Sequence, residues 1–205
     1  MSNNAFWDAR YSEDGYAYGT SPNGFLAEAA KHIPKGRVLC LAEGEGRNAV
    51  YLAEQGYEVT AVDSSAVGMK KAERLAASRG VSIKTVTADL ADFVIEPDHW
   101  DGIVAIFAHL PAALRARVHR ASVAGLRPGG TFVLEAYAPR QLEFGTGGPP
   151  TLELLMSLDD LRDELRGLEF IVARETEREI NEGRFHGGRG AVVQVAGIKQ
   201  FLLDI

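Results

Sequence analysis

Two glycines, two neighbouring acids and one aspartate further on, all between Arg37 and Asp63, have the types and spacing to hold an adenosine-bearing small molecule. The stretch reads RVLCLAEGEGRNAVYLAEQGYEVTAVD. Gly44 and Gly46 allow a tight turn and leave backbone amides open to a ligand, because a side chain there would block close approach. Asp63 ends an apolar run, where acids in doubly wound sheets accept hydrogen bonds from ribose hydroxyls. The elements that must position these groups follow from the pattern. Apolar Val38 to Leu41 predicts a strand. Asn48 to Gln55 has helical spacing, with Val50, Leu52 and Ala53 on one side, and Gly56 ends it. Tyr57 to Val62 predicts the second strand.

Two cofactor readings compete for this loop. Gly44-Glu45-Gly46-Arg47-Asn48-Ala49 satisfies G-x-G-x-x-G/A, the dinucleotide pattern of an NAD(P)-binding oxidoreductase. Glu43 and Glu45 count against a pyrophosphate, which needs donors and positive potential at the helix start. S-adenosylmethionine (SAM) has no phosphate and carries a sulfonium and an ammonium, so an acidic loop suits it better. A SAM-binding regulatory protein without turnover is a third reading.

Composition narrows the function classes. The 205 residues are 46% hydrophobic and 24% charged, which predicts one well-buried domain over 1–205 and argues against global disorder. The net charge is −6 and no Lys/Arg cluster stands out, so nucleic acid is disfavoured as a partner. A small-molecule methyl acceptor is easier to accommodate. One cysteine, Cys40, excludes an internal disulfide framework and a cysteine-only metal site, and no metal is expected. The opening MSNNAFWDARYSEDG lacks an apolar signal region, and no apolar run nears the ~20 residues of a membrane span. The expectation is a cytoplasmic protein without membrane contact. Oligomeric state is not legible.

Along the chain, residues 1–21 are aromatic and polar, with no strand or long helix expected; they read as a lid-like segment. Pro22 opens a helix over Asn23 to His32. Ser65 caps the next helix, to about Ser78, and Val81 to Thr87 predicts a third strand. Asp98 to Asp101 reads as a turn before a buried strand from Gly102 to Phe107. Pro111 is expected at the first helical position. Leu126-Arg127-Pro128-Gly129-Gly130 is expected to end that helix, with the fifth strand from Thr131 to Ala136. Residues 138–151 form a long Gly/Pro loop. Ser157 caps a short helix, and Phe170 to Glu177 and Ala191 to Leu202 form a hairpin. The predicted fold is α/β: five β-α repeats in a doubly wound, mostly parallel seven-stranded Rossmann-like sheet, closed by an antiparallel C-terminal hairpin.

With LAEGEGRNAVYLAEQGYEV, Asp63, Asp89-Leu90 and LRPGG in place, residues 22–203 resemble a class I SAM-dependent methyltransferase. GRNAVYLAEQGYEVTAVD and WDARYSEDGYAYGTSPN are similar to the tellurite-resistance and thiopurine-type methyltransferase group, whose members act on sulfur, selenium or tellurium species. The resemblance implies SAM as cofactor and S-adenosylhomocysteine (SAH) as product. It assigns Glu43, Gly44, Glu45, Gly46, Asn48, Asp63, Ser64, Asp89, Leu90 and Phe107 to the cofactor, with Asp89 on the adenine amino group. Here Cys40 and Ala42 replace the acid and first glycine of the class pattern D-x-G-x-G-x-G, and Glu43 or Glu45 is expected to supply the missing charge. His109 is the candidate base, since free histidine titrates near ~6.5. Trp7, Tyr11, Tyr18, Arg47 and Tyr137 are candidates for the lid and acceptor side, where aromatic faces stabilise a sulfonium as they do other cations. His99 and His186 read as turn residues without a role.

Overall fold

A computed structural model describes residues 3–201. The elements in chain order are α1 (Asn3–Tyr11), α2 (Gly24–Ala29, extended by a 3₁₀ turn Ala30–His32), β1 (Arg37–Leu41), α3 (Arg47–Glu54), β2 (Glu58–Asp63), α4 (Ala66–Ser78), β3 (Lys84–Thr87) and β4 (Trp100–Ile106). They continue with α5 (Ala112–Gly125), β5 (Leu126–Tyr137), 3₁₀ turns at Pro139–Glu143 and Leu152–Leu154, α6 (Leu158–Glu164), β6 (Leu168–Asn181) and β7 (Gly187–Lys199).

One seven-stranded sheet runs in the order β3-β2-β1-β4-β5-β7-β6. The first five strands pair parallel, and β7 pairs antiparallel with both β5 and β6. The expected fold is therefore present. Its core has two layers. On one face, Val118 of α5 and Leu161 and Leu165 at α6 pack on Leu39, Ile103, Phe132 and Leu134. On the other, Leu26, Leu52, Met69 and Ala72 of α2, α3 and α4 cover Val38, Cys40, Val104 and Val133. Alternate residues of each central strand feed opposite layers, as the period of two requires.

The local signals act as their chemistry dictates. The Asn23 side chain accepts from Leu26 N and starts α2, Ser65 accepts from Gly68 N and starts α4, and Ser157 accepts from Asp160 N and starts α6.

Four expectations are corrected. Asn3–Tyr11 is a nine-residue helix in a segment where no strand or long helix was expected. Its helix is held from outside: Asp8 Oδ1 accepts from Ser65 Oγ at 2.5 Å, and Trp7 stacks on Tyr11 one turn on, ring centroids 5.6 Å apart. Among the described residues no helix joins β3 to β4, so the β-α alternation is broken once. Pro111 is the residue before α5 rather than its first. LRPGG lies inside β5, not before it: Trp100 pairs with Leu126 and Gly102 with Thr131, so the extra residues bulge out of the ladder.

Candidate active site

The strand order reverses between β1 and β4, the place where open α/β sheets bind ligands. A cavity of about 540 Å³ lies there, within the usual range of small-molecule sites, roughly 300–1,000 Å³. The turn after β1 forms its floor. Ala42 has φ 50° and Gly44 φ 62°. The left-handed turn of the class pattern thus persists with alanine at its first position, at a cost of about 1–2 kcal/mol that glycine avoids. Phe107, just after β4, has φ 53° and lines the same cavity, a strained backbone of the kind that clusters at functional sites.

Each acid of the floor has a distinct job. Glu43 Oε1 accepts from the amides of Asn48 at 3.0 Å and Ala49 at 2.7 Å, capping α3. Burial still pushes its carboxyl up to about 7. Asp63 accepts from Gly44 N at 2.9 Å and Ser65 N at 2.8 Å; burial raises its carboxyl despite these bonds. Glu45 instead bonds Ala17 N at 2.7 Å and Lys71 Nζ at 2.9 Å. It fastens the N-terminal segment, while Lys71 also donates to the carbonyls of Glu13 and Gly15. Asp89 accepts from Ala91 N at 2.8 Å and lines the cavity with Leu90. This turn bond uses Oδ1.

The opposite end is aromatic. Phe107, His109, Tyr18, Phe185 and His186 line it. His109 Nδ1 lies 2.8 Å from the Leu154 carbonyl, which fixes the proton on that nitrogen. Its Nε2 is buried with no partner, and desolvation lowers the imidazole to about 4. The Leu154–Leu155 segment is itself anchored, since Arg115 donates to Leu155 O at 3.2 Å and to Glu164 at 2.7 Å. His186 packs on Tyr18 and Phe107 with centroids 4.6 and 4.5 Å apart, and desolvation lowers it to about 3. Behind this wall lies a buried polar group. Glu135, fully buried, accepts from Asn23, Arg178 and Gln194. Glu182 accepts from Asn23 and Arg178 and pairs with Arg47 Nη2 at 2.6 Å.

Of the residues singled out from sequence, Glu43, Gly44, Glu45, Asn48, Asp63, Ser64, Asp89, Leu90, Phe107 and His109 line the cavity, as do Trp7, Tyr11, Tyr18 and Arg47. Asn48 faces it while its Oδ1 accepts from Asn23 N. Two do not reach the wall. A Cβ on Gly46 would lie 2.5 Å from Ala72 Cβ and 2.7 Å from its Cα, so the packing of α3 on α4 requires glycine there. Tyr137 is fully buried, with Gly148 packed on its ring. His186 was missed: a turn histidine in Asn181 to Gly188 gives no local hint that the hairpin folds back over β4. Its neighbour Phe185 was the one available signal, since an aromatic residue is out of place in a solvated turn. Asn23, fully buried, was missed because a helix cap gives no sign of a second role.

Residues 38–130 match the family model described as "Methyltransferase domain". No curated protein matches the sequence. Solved structures that share the fold include the following three. A protein from the study "Conversion of a Disulfide Bond into a Thioacetal Group during Echinomycin Biosynthesis" is 19% identical, with a TM-score of 0.78 over 98% of this chain and 93% of that one. TehB from Haemophilus influenzae is 19% identical, with a TM-score of 0.72 over 96% and 67%. A SAM-dependent methyltransferase from Methanosarcina mazei is 18% identical, with a TM-score of 0.69 over 88% and 99%. The matched segment is a methyltransferase domain, and SAM is the cofactor it implies in place of NAD(P). Among the described residues no helix is long and apolar enough to cross a membrane.

Proposed function

We propose that this SAM-dependent methyltransferase acts on a small molecule through a soft nucleophile, a thiol or a heavier chalcogen species. The residues fit the cofactor. Glu43, Asp63 and Asp89 give one end of the cavity the acceptors that an ammonium, ribose hydroxyls and an adenine amine require, and Trp7, Tyr11 and Tyr18 offer aromatic faces. When bound, SAM supplies an electrophilic methyl group on a sulfonium. The chain's own contribution is to orient the acceptor for in-line attack and exclude water.

The observation that carries the acceptor class is the uncharged His109. With its imidazole lowered to about 4, Nε2 is a hydrogen-bond acceptor and a weak base. Such a group does little for an alcohol or a protonated amine. A thiol near ~8.5 ionises without much help. Two likenesses support this reading: the fold shared with a protein of disulfide-to-thioacetal conversion and with TehB. The sequence pattern points to the tellurite-resistance and thiopurine-type group. Residues 1–21 act as the lid: α1 lies against α4, and Tyr11, 5% exposed, covers Gly44.

The test is calorimetry with SAM, SAH and NAD, followed by methyl transfer to thiols, selenite, tellurite and small amines. SAM and SAH binding with turnover on the soft acceptors is expected. Turnover confined to amines would refute the acceptor class. SAM binding with no transfer to any acceptor would favour a regulatory protein.

A further inference from the structure

Arg47 begins α3 and is 7% exposed, yet only part of its guanidinium is used. Nη2 pairs with Glu182 at 2.6 Å, and Nη1 is buried without a partner. A buried charged donor left unpaired is costly, and a ligand group or water that met it would remove that cost. Position matters as much as charge. Arg47 lines the cavity, whereas Glu182, Glu135 and Arg178 do not. The carboxylates that balance the cations stand behind the wall, and the cavity meets only the guanidinium. His186 presents an unpartnered Nδ1 on the same wall. Arg10 adds a second cation at this end, 3.8 Å from the Phe185 ring centroid. The acids Glu43, Asp63 and Asp89 stand at or just beyond the C-terminal ends of β1, β2 and β3. The cavity is therefore acidic along the cofactor loops and cationic where the hairpin turn closes it.

We infer that Arg47 Nη1, with the neighbouring His186, forms a subsite for an anionic group on the methyl acceptor, a carboxylate or an oxyanion, an assignment that rests on the methyltransferase reading above. The guanidinium suits either, because its planar fork pairs with both. Aromatic walls at Phe107, Tyr18 and Phe185 favour a flat or apolar body between the anion and the nucleophile. The methionine end of the cofactor also carries a carboxylate, so the experiment must separate the two sources.

The probes are benzoate and its neutral isostere benzamide, titrated calorimetrically into the SAH-loaded protein. Benzoate should bind about tenfold or more tighter than benzamide, the scale of one charge-assisted bond. Arg47→Met should abolish that preference while SAH affinity changes less than about threefold. Arg47→Met leaves Glu182 partly unpaired, so Arg47→Met/Glu182→Gln is measured beside it; the same loss is expected there. Equal affinities for benzoate and benzamide in the wild type, including no binding of either, overturn the inference alone. So does a fall in SAH affinity beyond about tenfold in either variant, which assigns the guanidinium to the methionine end. A wild-type protein that takes no SAH overturns the methyltransferase reading as well.

Discussion

At the end of β1 the thiol of Cys40 is buried beside the carboxyl of Glu43, and burial, then the charge of that carboxyl, push the thiol up. The class pattern puts an acid at the position of Cys40. Here the acid has moved along the chain to the turn, and its longer side chain brings the carboxyl back to the strand end and the start of α3. Burial, with the charge of Asp63 adding to it, pushes Glu43 up to about 7, while the amides of Ala49 and Asn48 and the charge of Arg47 oppose the shift.

That elevation makes Glu43 a proton carrier near neutral pH. A carboxyl raised above its unfolded value near 4.5 stabilises the fold fully below that pH, and the contribution is lost as pH rises through about 7. Glu43→Gln keeps an oxygen for the two amides and removes the titration. Its stability relative to wild type should therefore rise between pH 4.5 and 7, measured as the difference between two urea curves at each pH. A cationic cofactor should also expel the proton. SAM binding at pH 6–7 should release protons in wild type and not in Glu43→Gln, checked by calorimetry in buffers of differing ionisation enthalpy.

Asp63 joins the loop to α4 through Gly44 N and Ser65 N. Asp63→Ala should therefore lower the melting temperature of the free protein, by an amount equivalent to ~1–3 kcal/mol for buried amides left unpaired. SAH affinity should fall as well. Scanning calorimetry and titration calorimetry on one preparation separate the two effects. Normal SAH affinity in a destabilised protein would make Asp63 structural only.

His109 should help without being essential. Its neutral form is favoured down to about 4, so no inflection of the rate between pH 5 and 9 should belong to it. His109→Ala should lower the rate within ~10²-fold, with the loss shrinking at high pH as the acceptor ionises unaided. A depressed histidine also has a stability signature: its contribution is complete above its unfolded value of 6.5 and is lost as pH falls through about 4. An acid limb in that window should be shallower in His109→Gln.

The N-terminal segment is fastened by Glu45 and Lys71. Lys71→Ala should speed proteolysis between Tyr11 and Tyr18, and SAH should slow that cleavage in wild type. Equal cleavage with and without SAH, in a protein that binds it, would argue against a lid.

The start of α4 was legible because its signals are local: Asp63 accepts from Ser65 N and Ser65 from Gly68 N. The parallel sheet was legible because its central strands are apolar runs buried on both faces. What escaped reading depends on distant partners. Helix Asn3–Tyr11 exists because Asp8 meets Ser65, and nothing within its own residues announces that. His186 and Asn23 gain their places only when the hairpin turn returns to β4 and α2. Gly46 carries a constraint with no local signal: its crowding comes from Ala72, a helix away.

The sheet order has a consequence for the order of assembly. Strand β7 lies between β5 and β6, so β5 has no neighbour on that side until the last long strand has been made. Arg178, Glu182, His186 and Gln194 all arrive with this final hairpin. A chain emerging from the ribosome can complete the loops after β1, β2 and β3 while the opposite wall does not yet exist. The wall at the glycine loop thus forms early in synthesis and the wall at the hairpin turn last. Hydrogen-exchange pulse labelling during refolding should find β1 and β2 protected before β5 and β7, because the contacts of the latter span the longest stretches of chain.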